Sequence, residues 1–126
     1  MTTRHSRAAL ALAGLLGAAG VLHLATPDFF DGMVPTELPG DPRLWTNVSG
    51  VAELGVAAAV AVPRTRHLGG LAAAALFVAV FPANVKMALD WSGRSVTEQV
   101  IGWVRLPLQV PLVLWGLKVR RDAARR

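Results

Sequence analysis

This chain of 126 residues predicts an all-α fold, an integral membrane four-helix bundle with N and C termini cytoplasmic. Three observations carry that expectation. Hydrophobic residues make up 53% of the chain against 17% charged, and the mean hydropathy is +0.45, a balance foreign to ordinary soluble domains. Four windows, residues 8–27, 44–62, 68–85 and 99–117, hold at most one charged side chain each, Glu53 in the second and Arg105 in the fourth. At about 1.5 Å of rise per helical residue, such windows extend roughly 27 to 30 Å, the thickness of a hydrocarbon core. Finally, the charges between the windows are sorted by sign. Nine of the thirteen basic residues fall at one end: Arg4, Arg7, Arg64, Arg66, Lys118, Arg120, Arg121, Arg125 and Arg126. The connections at the other end, "PDFFDGMVPTELPGDPR" and "DWSGRSVTE", carry Asp28, Asp31, Glu37, Asp41, Asp90 and Glu98 against Arg43 and Arg94. The positive-inside rule then sets the orientation.

One membrane domain, 1–126, follows, with spans at about 8–27, 44–62, 68–89 and 98–118. Helices are expected throughout, because backbone facing lipid must satisfy its own hydrogen bonds and the windows show no strand-like alternation. The first segment also has the layout of a signal peptide, with a basic "MTTRHSR", an apolar "AALALAGLLGAAG" and a cleavage-like "HLA", but the even topology keeps it as a span. A net charge of +5 would suit nucleic acid if it formed a patch. Its confinement to span ends, as in "KVRRDAARR", makes it a topology signal and headgroup anchor, and no nucleic acid partner is expected. With no cysteine, the chain has no disulfide, thiolate metal site or Fe–S cluster of its own.

Helical phase places the polar residues inside each span. In span one, His23 lines up with Ala19, Leu16 and Leu12, beside a band of Gly14, Gly17 and Gly20 suited to close helix approach. In span two, Thr46, Ser49, Glu53, Val56 or Ala57, and Val60 share a face. In span three, Asn84 lines up with Phe77, Val80, Phe81 and Ala88. In span four, Glu98, Gly102, Arg105, Gln109, Leu112 and Gly116 form a stripe, leaving Trp103, Leu106, Val110 and Leu114 for lipid.

Depth agrees with phase. Measured from the outer face at the helical rise, Glu53 lies about 13 Å in, Arg105 about 12 Å, Asn84 about 9 Å and His23 about 8 Å. A charge at the bilayer centre costs about 2.5 to 3.5 kcal/mol on insertion scales, so Glu53 and Arg105 should face inward and meet each other or polar neighbours. Three uses of that layer stand open: an ion pair fixing helix register, the lining of a ligand pocket, or proton relay. His23 either bonds a carbonyl or loop carboxylate at its span end or contacts a ligand. Haem is not expected, since His5 and His67 lie at the opposite end. Asn84, in "FPAN", either faces the pocket or compensates for the carbonyl near Val78 that Pro82 frees. Pro107 and Pro111 in "RLPLQVPL" should distort span four beside Arg105 and Gln109.

Outside the layer, Lys86 should snorkel toward headgroups and pair with Asp90. Trp45, Trp91 and Trp103 should form an outer interfacial belt and Trp115 an inner one. Phe29, Phe30, Met33 and Val34 are apolar enough to lie on the membrane surface or fold over the bundle as a lid.

Two stretches, "GVLHLATPDFFDGMVPTELPG" and "VSGVAELGVAAAVAVPRTRHLGGLAAAALFVAVFPANVKMALD", resemble the DoxX-like family of small bacterial membrane proteins. The resemblance rests on a glycine-rich helix ending in His23 then Pro27 and Phe30, on Gly50 and Glu53, on the Pro63–Arg64 turn, and on Pro82, Ala83 and Asn84. Lys86 departs from the pattern, where an uncharged residue is common. The resemblance implies a four-helix bundle and a link to membrane oxidoreductase complexes, the family name coming from a subunit of a thiosulfate:quinone oxidoreductase.

The expectation is a multi-pass protein of the bacterial cytoplasmic (inner) membrane, an accessory subunit of a membrane redox system without independent catalytic activity. His23, Ser49, Glu53, Asn84, Arg105 and Gln109 would line an outer-half pocket for a lipophilic ligand such as quinone, with no intrinsic cofactor and no metal. Its partners would be the lipid bilayer, a membrane or periplasmic oxidoreductase, and a second copy in a homo-oligomer. The alternatives are a structural or interaction protein without a ligand and a proton-linked small-solute transporter.

Overall fold

The computed structural model describes residues 3–32, 34 and 38–124; the expectations for Met33 and Glu37 lie outside them. Among the described residues every regular element is helical: α1 (Thr3–Ala25), the short α2 (Pro27–Asp31), α3 (Pro42–Ala61), α4 (Arg66–Asp90) and α5 (Val96–Ala124), with one 3-10 turn at Trp91–Gly93. The fold is all-α, and four of its helices are long and apolar enough to cross a membrane.

Local sequence sets the helix ends. Asp41 caps α3 by accepting from the Arg43 amide at 2.9 Å, and Pro42 follows at the first helical position, where its missing N–H loses nothing. Gly40, at φ +85°, takes the left-handed conformation that turns the chain into this cap. At the other end of α3, Arg66 is buried and donates from Nε to the Val60 carbonyl at 2.8 Å and from Nη2 to that of Ala61 at 2.9 Å. Arg66 thus satisfies carbonyls that a helix terminus leaves open, a role that counting it as flanking charge does not reveal. Helix α5 runs past the expected 118 because Val119 and Ala123 are buried, while Lys118 pairs with the buried Asp122 at 2.6 Å. Pro82 sits within α4 and Pro107 and Pro111 within α5, and both helices continue through them.

The long helices pack as two pairs, α1 along α3 and α4 along α5, with α3 against α4 between the pairs and a lighter contact of α5 with α1. Glycines permit the closest approaches. A Cβ on Gly70 would lie 2.6 Å from the Arg120 nitrogen, and one on Gly116 2.8 Å from that of Ala74, so α4 and α5 meet backbone to backbone. Between the pairs, a Cβ on Gly69 would lie 2.6 Å from the Val60 nitrogen. In the glycine band of α1, Gly20 is tight, with a Cβ 2.9 Å from the Gly50 carbonyl, whereas Gly14 faces open space. At the end of the bundle bearing the α3–α4 turn lies a dry core of Leu12, Leu16, Ala57, Val60, Ala73, Phe77 and Val119. The outward faces carry large apolar side chains, among them Leu10, Val51, Val78, Leu108 and Val110. Such a belt suits lipid and not water.

At the opposite end α2 is strapped to the first turn of α3. Arg43 donates to Asp28 at 2.6 Å and to Asp31 at 2.9 Å, and the buried Thr46 hydroxyl donates to Asp31 at 2.7 Å. The Thr46 hydrogen bond, with the Arg43 guanidinium beside it, holds the Asp31 carboxyl below the ordinary carboxylate range.

Two outcomes follow. Gly70→Ala should destabilise the fold by about 1 to 3 kcal/mol, because the added methyl meets main chain that cannot move aside, while Gly55→Ala, which meets nothing within 4 Å, should be neutral or slightly stabilising. Thermal unfolding in detergent compares them, and equal behaviour of the two would contradict the close approach. Asp31→Asn should lower stability at neutral pH. A carboxylate with a depressed folded pKa stabilises above its unfolded value near 3.8 and loses that contribution as pH falls through the folded value. The gap between the two proteins should therefore stay constant from about pH 7 to 5 and close only in stronger acid.

Candidate functional site

The strap places α2 above a cavity of about 180 Å³ that lies between the two helix pairs. From α1 and α3 come His23, Thr46, Ser49 and Glu53; from α4 and α5 come Val80, Asn84 and Arg105. Phe30 of α2, then Val34 and Leu38 from the connection to α3, with Trp45, complete the wall. Helical periodicity explains the α3 row, since Thr46, Ser49 and Glu53 follow at three and four residues and so share one face.

The polar groups are not equivalent. His23 donates from Nδ1 to the Ala19 carbonyl at 2.7 Å, one turn back in its own helix. The Glu53 Oε2 atom lies 3.6 Å from the same Nδ1, too far for a full hydrogen bond. This oxygen is buried and meets no hydrogen-bond donor among the described residues. Leaving a buried acceptor unsatisfied costs about 1 to 3 kcal/mol, more for a charged group, and among the described residues Glu53 carries such an oxygen. The imidazole of His23 is stacked on Phe30, with ring centroids 3.8 Å apart and planes inclined by 17°, and Phe29 packs edge-on against Phe30 at 5.1 Å. Carboxylate, imidazole and aromatic ring thus follow one another from the cavity wall to its cover.

Five sequence-predicted residues, His23, Ser49, Glu53, Asn84 and Arg105, line this one cavity. Gln109 does not. It is buried, as its place in the stripe requires, but its Nε2 donates to the Phe77 carbonyl at 2.7 Å and it borders a separate apolar groove with Phe77, Phe81 and Val113. The acceptor lies one residue before Val78, the carbonyl that Pro82 leaves without its helical donor, so the Gln109 bond ties α5 to α4 but does not replace the missing one. Asn84, read either as compensating for Pro82 or as facing the pocket, lines the cavity.

Of the two partners expected for Glu53, Arg105 or a polar neighbour, the described residues bring the neighbour His23 closest, 3.6 Å away. Sequence phase gives the face and the depth of both charges but not the side-chain direction that selects a partner. Trp45 belongs to the cavity, its Nε1 donating to the Pro39 carbonyl at 2.7 Å, instead of to a belt. Trp91 is buried with the Arg94 guanidinium 4.4 Å above its ring, and Trp115 donates to the Ala8 carbonyl at 2.9 Å, while Trp103 alone of the four is about half exposed, as a lipid-facing ring should be. Lys86 pairs with Asp90 at 3.2 Å. The cover residues Phe30, Val34 and Leu38 carry no polar signal; the apolar character of the loop was their only sequence mark. Among the described residues no three His, Asp or Glu side chains converge in a way that could hold a metal ion.

No curated protein and no solved structure matches the chain. A family model does match, over residues 12–120, a stretch that reaches from α1 into α5 and includes every residue lining the cavity. The chain therefore belongs to the family described as Domain of unknown function (DUF8561).

Proposed function

We propose that this protein sits in the bacterial cytoplasmic membrane with both termini on the cytoplasmic side and binds the ring of a lipophilic small molecule such as a quinone in its outer-half cavity. In this reading it is an accessory subunit of a membrane redox system, without catalysis of its own, and works beside a membrane or periplasmic oxidoreductase. The observation that carries the binding proposal is Glu53, which lines the cavity beside His23, Asn84 and Arg105 and whose buried Oε2 has no donor among the described residues. A ligand hydroxyl or protonated nitrogen would supply what that oxygen lacks. Size narrows the class. At about 180 Å³ the cavity takes roughly six waters or one substituted ring, and it is below the ~300 to 1,000 Å³ of pockets for drug-sized ligands. A head group would therefore enter and any hydrocarbon tail would remain among the helices or in lipid. The redox setting comes from the DoxX-like resemblance of residues 20–40 and 48–90, and fold alone does not transfer an activity.

Native mass spectrometry and solvent extraction of gently purified protein should recover a quinone-type lipophile, and a short-tailed ubiquinol or menaquinol analogue added to stripped protein should rebind. Protein that neither carries nor rebinds any such compound would overturn the proposal. Glu53→Gln should weaken that binding about tenfold, the difference between a charge-assisted and a neutral hydrogen bond. Gln109→Leu should leave binding unchanged but lower stability by about 1 kcal/mol, through loss of the buried interhelical hydrogen bond to Phe77. If Glu53→Gln changes only stability, the polar layer serves the bundle alone.

A further inference from the structure

The cover of the cavity is attached in an unusual way. Helix α2 has five residues and buries none of them; Phe29 is 64% exposed. Among the described residues, its ring and side-chain polar contacts with the bundle are the Phe30–His23 stack and the strap from Arg43 and Thr46 to Asp28 and Asp31. On the α1 side it leaves through Thr26, which has non-helical dihedrals (φ −128°, ψ 59°) and whose hydroxyl donates to the Leu22 carbonyl at 2.7 Å. A segment with so little buried apolar area belongs to the low-stability end of a fold, where local opening is inexpensive.

The strap is also placed where it can respond. Asp28 is 95% exposed and the Arg43 side chain 45%, so water competes for that ion pair, whereas Asp31 at 23% is shielded and doubly bonded. The charged or titratable groups facing α2 are Arg43 and, beside it, the cap residue Asp41 from the α3 end, and His23 from α1 with Glu53 behind it. Phe30 rests on the imidazole that adjoins the Glu53 carboxylate, so the cover touches the part of the site that a ligand would reach first.

We propose that α2 is a latched cover: Arg43, clasping Asp28 and Asp31 with Thr46 seated beneath, holds Phe30 closed over the cavity, and releasing the clasp admits solutes from the aqueous end. This regulation of entry draws its purpose from the reading of the cavity as a binding site, but it can be tested without a ligand.

The chain has no cysteine, so Ser49→Cys puts a unique thiol on the cavity wall in place of a side chain of nearly the same size. Its rate of modification by a hydrophilic, membrane-impermeant thiol reagent measures access from water. Ser92→Cys, at an exposed position in the Trp91–Gly93 turn, serves as reference. Adding Arg43→Gln should speed modification at position 49 by about threefold or more, the scale of an exposed ion pair, and leave position 92 unchanged. Arg43→Lys, which keeps the charge but not the fork that spans two carboxylates, should fall between. Should Arg43→Gln fail to fold, Asp28→Asn alters only the most exposed member of the clasp and should change the rate in the same direction. An unchanged rate at position 49 would overturn the latch, and so would equal acceleration at both positions, which reports general loosening. Quinol binding that is lost while the latch variants still open position 49 would remove the ligand proposal alone; intact binding with access indifferent to Arg43 would remove the latch alone.

Discussion

The approach of Gly69 to the backbone at Val60 governs much of this molecule. Helices α1 and α3 form one close pair, α4 and α5 another, and Gly69 brings the two pairs together beside the α3–α4 turn, where there is no room even for a methyl group. Arg66 works at the same place, tying the last carbonyls of α3 to the start of α4. The alanine-rich core fills that end, and the cavity lies between the pairs at the other. Dry packing at one end and a polar hollow at the other are thus two consequences of one joint. The outward faces suit lipid, where exclusion of water does not drive helix against helix; close steric fit then holds a bundle, and glycine and alanine make such fit possible.

Much of this was legible in the sequence because helical periodicity is a strong signal in long apolar windows. The 3.6-residue repeat puts Thr46, Ala57 and Val60 inside and Trp103, Val110 and Leu114 outside, and that is how they are disposed. Distance from a span end supplied the third coordinate, enough to gather His23, Ser49, Glu53, Asn84 and Arg105 around one hollow. What phase and depth lack is the direction of the side chain. Gln109 is on the expected stripe, yet its amide turns to the Phe77 carbonyl of a neighbouring helix, and of the partners open to Glu53 the imidazole of His23 lies nearest.

The irregular connections were the least legible part. Phe30 reaches the cavity from a short helix, and Val34 and Leu38 from the connection after it, where no periodicity marks them. The same holds for Trp45, whose indole is anchored on the Pro39 carbonyl, a contact set by the turn around Gly40 and Asp41. Aromatic rings near a span end suit an interfacial belt, and composition alone cannot separate a ring that anchors to headgroups from one that turns inward to close a site.

The bond from the Trp115 indole to the Ala8 carbonyl joins residues 107 positions apart, at the lightest of the contacts around the ring of helices. A chain made from its N-terminus forms α1 well before the partner of Ala8 exists. The alanines and glycines that give α1 its close fit to α3 allow that pair to form early, and α5 meets α1 only after the last span has emerged. Assembly therefore has a built-in final stitch, and a chain arrested before α5 would leave the first helix with one flank bare.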